Sequence, residues 1–158
     1  MRQAVSIAVV ALLVGVGLCP DLGTTAMIQL SLPQLIQGAE TIVLGTVTQQ
    51  VSAWNATHTA IYTDVVLEVE EVMKGAVGPE VTFRIAGGEV GDVGMRTSTN
   101  PTFRIGERAV VFLHTEGSTA QLFGLKQGKF TVSDGTVTQD GQVVPVPDFK
   151  AAIRAAAR

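Results

Sequence analysis

From Leu30 onward, apolar and polar positions change period several times along the chain, and each change marks an element. "LSLPQLIQGAE" has Ser31 where a helix N-cap belongs, Pro33 in the first turn and Gly38 as a C-terminal stop, which predicts a short helix. "TIVLGTVTQQV" from Thr41 is β-branched and apolar with Gly45 in its middle. It reads as a strand buried on much of both faces, the glycine marking a bend or a close approach. "AIYTDVVLEVEEVMKG" then alternates with period two: Ile61, Val65, Leu67 and Val69 share one face, Tyr62, Asp64, Glu68 and Glu70 the other. The Glu70–Glu71 doublet breaks that phase, and a bulge or an end of pairing near there is the physical way to absorb it.

"KGAVGP" turns the chain into "EVTFRIAG", where Val81, Phe83 and Ile85 point one way. "GERAVVFLHTEG" is apolar at successive positions from Ala109 to Leu113, a strand covered on both faces. Short strands follow, with hairpin signals at Asp134-Gly135 and Asp140-Gly141. In "PDFKAAIRAAAR", Phe149 and Ile153 are four apart and Arg154 and Arg158 lie near the end, as in a terminal helix packing by one edge. The order is therefore short helix, six or so strands, short helix. Strands that do not alternate with long helices disfavour a parallel α/β sheet, and the expected fold is a small closed antiparallel barrel of OB type.

The residues ahead of this pattern change the picture. "MRQAVSIAVVALLVGVGLC" has Arg2 and then an apolar run from Ala4 to Leu18, with small residues at Thr24 to Ala26, the anatomy of a signal peptide cut after Ala26. Residues 1–26 are expected to be a leader and 27–158 a single domain, secreted or periplasmic. Pro20, Asp21 and Gly23 follow the run in place of a basic stop-transfer cluster, which disfavours a retained anchor. Lipid attachment at Cys19 ranks below simple secretion because Leu18 precedes it. Cleavage would remove the only cysteine, and with it any disulfide or thiolate chemistry. Removal of Arg2 and Asp21 would leave the formal charge of −3 unchanged. No basic patch of the kind that binds nucleic acid or anionic membrane is visible.

Candidate chemistry is sparse. "GGEVGDVG" has glycines at 87, 88, 91 and 94 but neither the dinucleotide fingerprint nor the Lys-Ser/Thr pair of a P-loop. Such glycines serve positive-φ backbone more often than phosphate, so the span from Gly87 to Asn100 is expected to be an exposed loop able to bind something. Glu68 and Glu70, beside Asp64, sit at spacings of roughly 6 to 7 Å, yet no cluster of sugar-stacking aromatics accompanies them. His58 and His114 are 56 residues apart, too few and too far apart to point to zinc. Ser118 near His114 lies in a polar turn without a nucleophile elbow. No metal and no cofactor are expected. Trp54, in the polar "VSAWNATHT", is either a contact residue or a plug over one mouth of the barrel.

"LIQGAETIVLGTVTQQ", "YTDVVLEVEEVMKG", "GERAVVFL" and "LKQGKFTV", from about Leu30 to Val146, resemble the netrin-like OB domains, the group that includes the tissue inhibitors of metalloproteinases. More closely they resemble secreted bacterial proteins built on that plan. "VMKG" and the "GE" of Gly106–Glu107 punctuate the resemblance. It implies a barrel and a habit of binding proteins outside the cell. The zinc-chelating N-terminal cysteine and the disulfides of the animal inhibitors have no counterpart here.

The expectation is a secreted, non-catalytic module for an extracytoplasmic protein partner, with no nucleic-acid binding and no stable membrane insertion after processing. Its contact surface would combine Trp54 with Gly87, Gly88, Glu89 and Arg96. The alternatives are a hydrolase using Glu89 and Asp92 as acid and base, or an oligosaccharide-binding module.

Overall fold

The computed structural model describes residues 28–157, so the expected leader and its cleavage point lie outside the described residues. Helix α1 (Leu32–Gly38) begins where Ser31 donates its backbone N–H to Gln34 Oε1 at 2.8 Å. It ends because Ala39 turns extended. Gly38 is needed for packing rather than as a left-handed stop: a Cβ there would lie 2.1 Å from the Phe123 ring.

The rest is mainly β. Strands β1 (Thr41–Trp54), β2 (Ile61–Lys74), β3 (Glu80–Ala86), β6 (Arg108–Glu116), β7 (Thr119–Leu122), β8 (Lys129–Ser133), β9 (Thr136–Gln139) and β10 (Gln142–Pro145) form one eight-stranded sheet. β4 (Gly88–Val90) and β5 (Val93–Met95) form a separate hairpin, and α2 (Val146–Ala156) closes the chain. The pairing runs β1–β2–β3–β7–β6 and returns to β1, a partly ring-like arrangement in which all contacts are antiparallel except β3 with β7. From β6 the strands β8, β9 and β10 continue outward as an open flap.

This topology explains why β1 and β6 read as apolar on both faces. Val43, Val47, Ala109, Val111 and Leu113 join Val65, Leu67, Phe83 and Ile85 in one buried cluster contributed by the ring strands. Their sequence neighbours Ile42, Leu44, Val110 and Phe112 join a second cluster with α1, α2, β8 and β9. Phe149 and Ile153, the pair spaced by four, are the buried residues of α2.

The expected bulge is present. Leu44 pairs with Glu71 and Gly45 with Val69, so Glu70 is the extra residue of β2. Gly45 is the close approach the strand pattern predicted, since a Cβ there would lie 2.2 Å from the Glu68 carbonyl oxygen. Glu71 ion-pairs with Lys150 and, at 3.3 Å, with Arg154, fastening α2 to the far end of β2.

Both punctuating motifs are structural fasteners. Lys74 of "VMKG" donates from Nζ to the carbonyls of Ile36 and Ala39, each at 2.6 Å, satisfying acceptors that the end of α1 leaves open. Glu107 of "GE" accepts from Arg104 N–H at 3.0 Å, Thr131 Oγ1 at 3.0 Å and Lys129 Nζ at 2.6 Å.

Candidate functional site

A concavity lies at the end of the ring where β1 turns into β2. Its floor is the apolar side of β3, Ile85 and Phe103; its walls are the β4–β5 hairpin and the segment Thr97–Arg104, and its volume is about 630 Å³. The span between Gly87 and Asn100 is thus not an irregular loop throughout. Val90 and Val93 pair across a two-residue Gly91-Asp92 turn in which Gly91 takes φ +60°. A Gly-Asp pair between two valines is itself a hairpin signal, as usable as the Asp-Gly pairs further on.

The glycines before the hairpin are set by packing. Gly87 (φ +103°) and Gly88 (φ +138°) adopt backbone that other residues avoid. A Cβ on Gly88 would lie 2.3 Å from Thr63 Oγ1 and 2.4 Å from Ser52 Oγ. Those two hydroxyls are 2.8 Å apart, and Thr63 donates its hydrogen to the Gly87 carbonyl at 2.7 Å. Thr63 has one hydroxyl hydrogen, so Ser52 is the donor of the pair. Thr63 is a polar residue on the buried face of β2, and that mismatch was the visible signal in its sequence.

The opposite wall is held at many points. Asn100 Nδ2 donates to Ala86 O at 3.2 Å, Gln50 Nε2 to Phe103 O at 3.1 Å, and Lys129 Nζ to Thr102 O at 2.5 Å. Phe103 enters the ring cluster edge-on to Phe83, centroids 5.2 Å apart, with the Lys129 ammonium 4.4 Å from its ring centre. The cleft is therefore built on a fixed scaffold, and its polar floor groups are already engaged. Thr97 Oγ1 is different: it is buried and has no hydrogen-bond partner among the described residues.

Of the residues singled out from sequence, Gly87, Gly88, Glu89 and Arg96 line this cleft together. Trp54 does not. It is the last residue of β1, paired with Ile61, half-buried, outside both core clusters, and stacked on His58 with centroids 6.2 Å apart. It stands at the same end of the fold, since Gly87 N–H bonds the carbonyl of that same Ile61 at 2.8 Å. Arg104, Asn100 and Thr97 line the cleft as well, without having stood out in a polar stretch of ordinary composition.

The carboxylates lie elsewhere. Asp64 takes a two-pronged hydrogen bond from Arg84 at 2.7 and 2.8 Å, which holds its carboxyl below the usual carboxylate range. The Arg108 fork does the same for Glu70, helped by Thr46. The polar face of β2 is thus a set of cross-strand ion pairs. Glu89 and Asp92 are exposed on the hairpin, and Glu89 meets Arg96 at only 3.9 Å. His58 is exposed in its turn; His114 packs edge-on against Phe123, and Ser118 is exposed in the β6–β7 turn. No group of three or more His, Cys, Asp or Glu side chains able to hold a metal ion occurs among the described residues. Nor is any described helix long and apolar enough to cross a membrane.

No protein-family model matches the chain, and no curated protein matches it.

Proposed function

We propose that the chain is an exported, non-catalytic binding module, processed after Ala26, whose ring of strands is a closed OB-type barrel of the netrin-like kind. The observation that carries this reading is the pairing order β1–β2–β3–β7–β6–β1 with a parallel β3–β7 contact, and the cleft at one end of that ring. A five-stranded ring with a rigid cleft between two attached segments is the arrangement in which small barrels present ligand-binding loops. The partner is an extracytoplasmic protein, and it meets the lip formed by Glu89, Arg96 and the Thr97–Arg104 wall.

The arrangement supports acid–base hydrolysis less well. That chemistry calls for two carboxyls in unlike environments, one of them withdrawn from water, whereas Glu89 and Asp92 both stand in solvent on one hairpin. Nucleic acid would need a positive groove with stacking aromatics, and the outer face of β2 offers Tyr62 among Asp64, Glu68 and Glu70.

The test places a photo-crosslinking side chain at Thr102, on the cleft, and at Asp148, on the exposed side of α2, in the full chain expressed in its own host. Crosslinks to extracytoplasmic protein from position 102 and not from 148 are expected. Equal capture from both positions, or a turnover abolished by Glu89→Gln, overturns the reading.

A further inference from the structure

The chain has five arginines among the described residues, and their surroundings divide them. Arg84, Arg108 and Arg154 each lie within 3.3 Å of a carboxylate. Arg96 and Arg104 do not, and these are the two that line the cleft. Arg96 is 92% exposed and reaches Glu89 only at 3.9 Å. Arg104 is tied through its backbone N–H to Glu107, while its guanidinium makes no hydrogen bond or ion pair with any described residue. In a chain of net charge −3, this cleft thus carries two arginines against a single Glu89.

We infer that the cleft takes an acidic peptide segment of the partner, its carboxylate held by Arg96 and Arg104. This rests on the reading of the chain as a binding module. Guanidinium forks match carboxylates two bonds at a time, and two of them at the rim of one cleft give a directional contact for a carboxylate. A carboxylate alone would leave most of the cavity unfilled. Its volume of about 630 Å³ and its apolar lining of Ile85, Met95, Pro101 and Phe103 suit several residues of extended chain. The pairs Ser52–Thr63 and Asn100–Ala86 already spend the polar floor groups on each other, so the ligand's charge must be met at the arginines.

The experiment titrates the mature chain with a blocked, dye-labelled peptide alternating glycine and glutamate, and with its glutamine counterpart, using inorganic phosphate as competitor. The glutamate peptide is expected to bind at least about tenfold more tightly than the glutamine one. Arg104→Gln and Arg96→Gln should each weaken it by about tenfold without moving Tm, since neither side chain supports the fold. Equal affinity for the two peptides, indifference to Arg104→Gln, or phosphate competing as well as the peptide would overturn the inference. Crosslinks from Thr102 that persist unchanged in the Arg96→Gln, Arg104→Gln chain would overturn the acidic ligand and leave the binding reading standing. Loss of both peptide binding and crosslinks at wild-type sequence would remove both.

Discussion

Lys74 delivers its ammonium to the Ala39 carbonyl at 2.6 Å, so the last residue of β2 closes the end of the helix that precedes β1. The same nitrogen reaches Ile36 O, and it lies at the helix terminus where positive charge is favoured. Gly75 follows in a φ of +82°, close enough that a Cβ would meet the Glu40 carbonyl at 2.7 Å.

Lys74→Met should therefore keep the aliphatic packing and lose the cap, at a cost of about 1–3 kcal/mol. Amide exchange at Ala39 and Glu40 should accelerate, with a lower Tm. An unchanged Tm with unchanged exchange would show that water satisfies those carbonyls equally well.

The ion pairs on the polar face of β2 carry a pH dependence. Arg84 holds the Asp64 carboxyl, and Arg108 the Glu70 carboxyl, below the usual range, so near pH 4 the folded chain binds fewer protons than the unfolded one. Their stabilisation is fully present above the ordinary carboxylate values and is lost as the pH falls through the depressed ones. Both pairs are over a third exposed on at least one partner, so screening limits each to about 1 kcal/mol or less. The fall in urea midpoint between pH 7 and pH 3 should be smaller in the Arg84→Gln, Arg108→Gln chain than in wild type. An identical fall would assign the acid sensitivity to other groups.

Two glycines of similar appearance in the sequence should behave differently. Gly45→Ala sets a methyl 2.2 Å from backbone that cannot move without breaking the β1–β2 pairing, and overpacking of that kind costs about 1–3 kcal/mol or more. At Gly91 a Cβ meets nothing, so only the strain of its positive φ opposes the change, about 1 kcal/mol. Chemical denaturation of both variants checks the order; a larger loss at Gly91 would contradict the close approach at Gly45.

Much of this architecture was legible in period and punctuation. The alternation through Ile61, Val65 and Leu67, the doublet that bulges at Glu70, and the both-sided burial of β1 and β6 all follow from how side chains meet water on a pleated strand. The glycine pair before the hairpin was legible only as conformational freedom, because its cause, the Ser52–Thr63 hydroxyl pair, lies on two other strands. The cleft was half legible. Gly87, Gly88, Glu89 and Arg96 fall together by sequence proximity. Arg104 joins them because Phe103 dives into the ring and Lys129, far along the chain, holds the Thr102 carbonyl. Trp54 drew notice as the single tryptophan in a polar stretch, but the stretch begins one residue later: β1 runs through Trp54, and the turn is Asn55 to Ala60, closed by Asn55 N–H to Ala60 O at 2.8 Å.

That position sets the expected outcome of Trp54→Ala. A barrel plug would lose about 3–5 kcal/mol on truncation, whereas a half-buried ring stacked on His58 outside both core clusters should lose only about 1–2 kcal/mol. A calorimetric Tm lowered by only a few degrees is expected. A loss of the larger size would return Trp54 to the core.

One largely buried ion pair is among the anchors of the cleft wall. Lys129 and Glu107 keep only 10% and 16% of their side chains exposed and meet at 2.6 Å; the lysine also holds Thr102 O, and the glutamate holds Thr131 and the Arg104 backbone. Removing one member strands the other's charge, a loss of about 3–5 kcal/mol, whereas removing both charges together avoids that penalty. Lys129→Met should therefore destabilise more than the Lys129→Met, Glu107→Gln pair. Both should speed amide exchange through Thr102 to Arg104, since each frees the carbonyl that anchors this wall. If acidic ligands bind between Arg96 and Arg104, the double variant should also bind them more weakly while its unfolding transition remains cooperative. A double variant less stable than the single one would mean that the pair contributes more by its contacts than it loses by burial, and slow exchange at Thr102 in both would show that Phe103 and the Asn100 and Gln50 hydrogen bonds hold the wall without it.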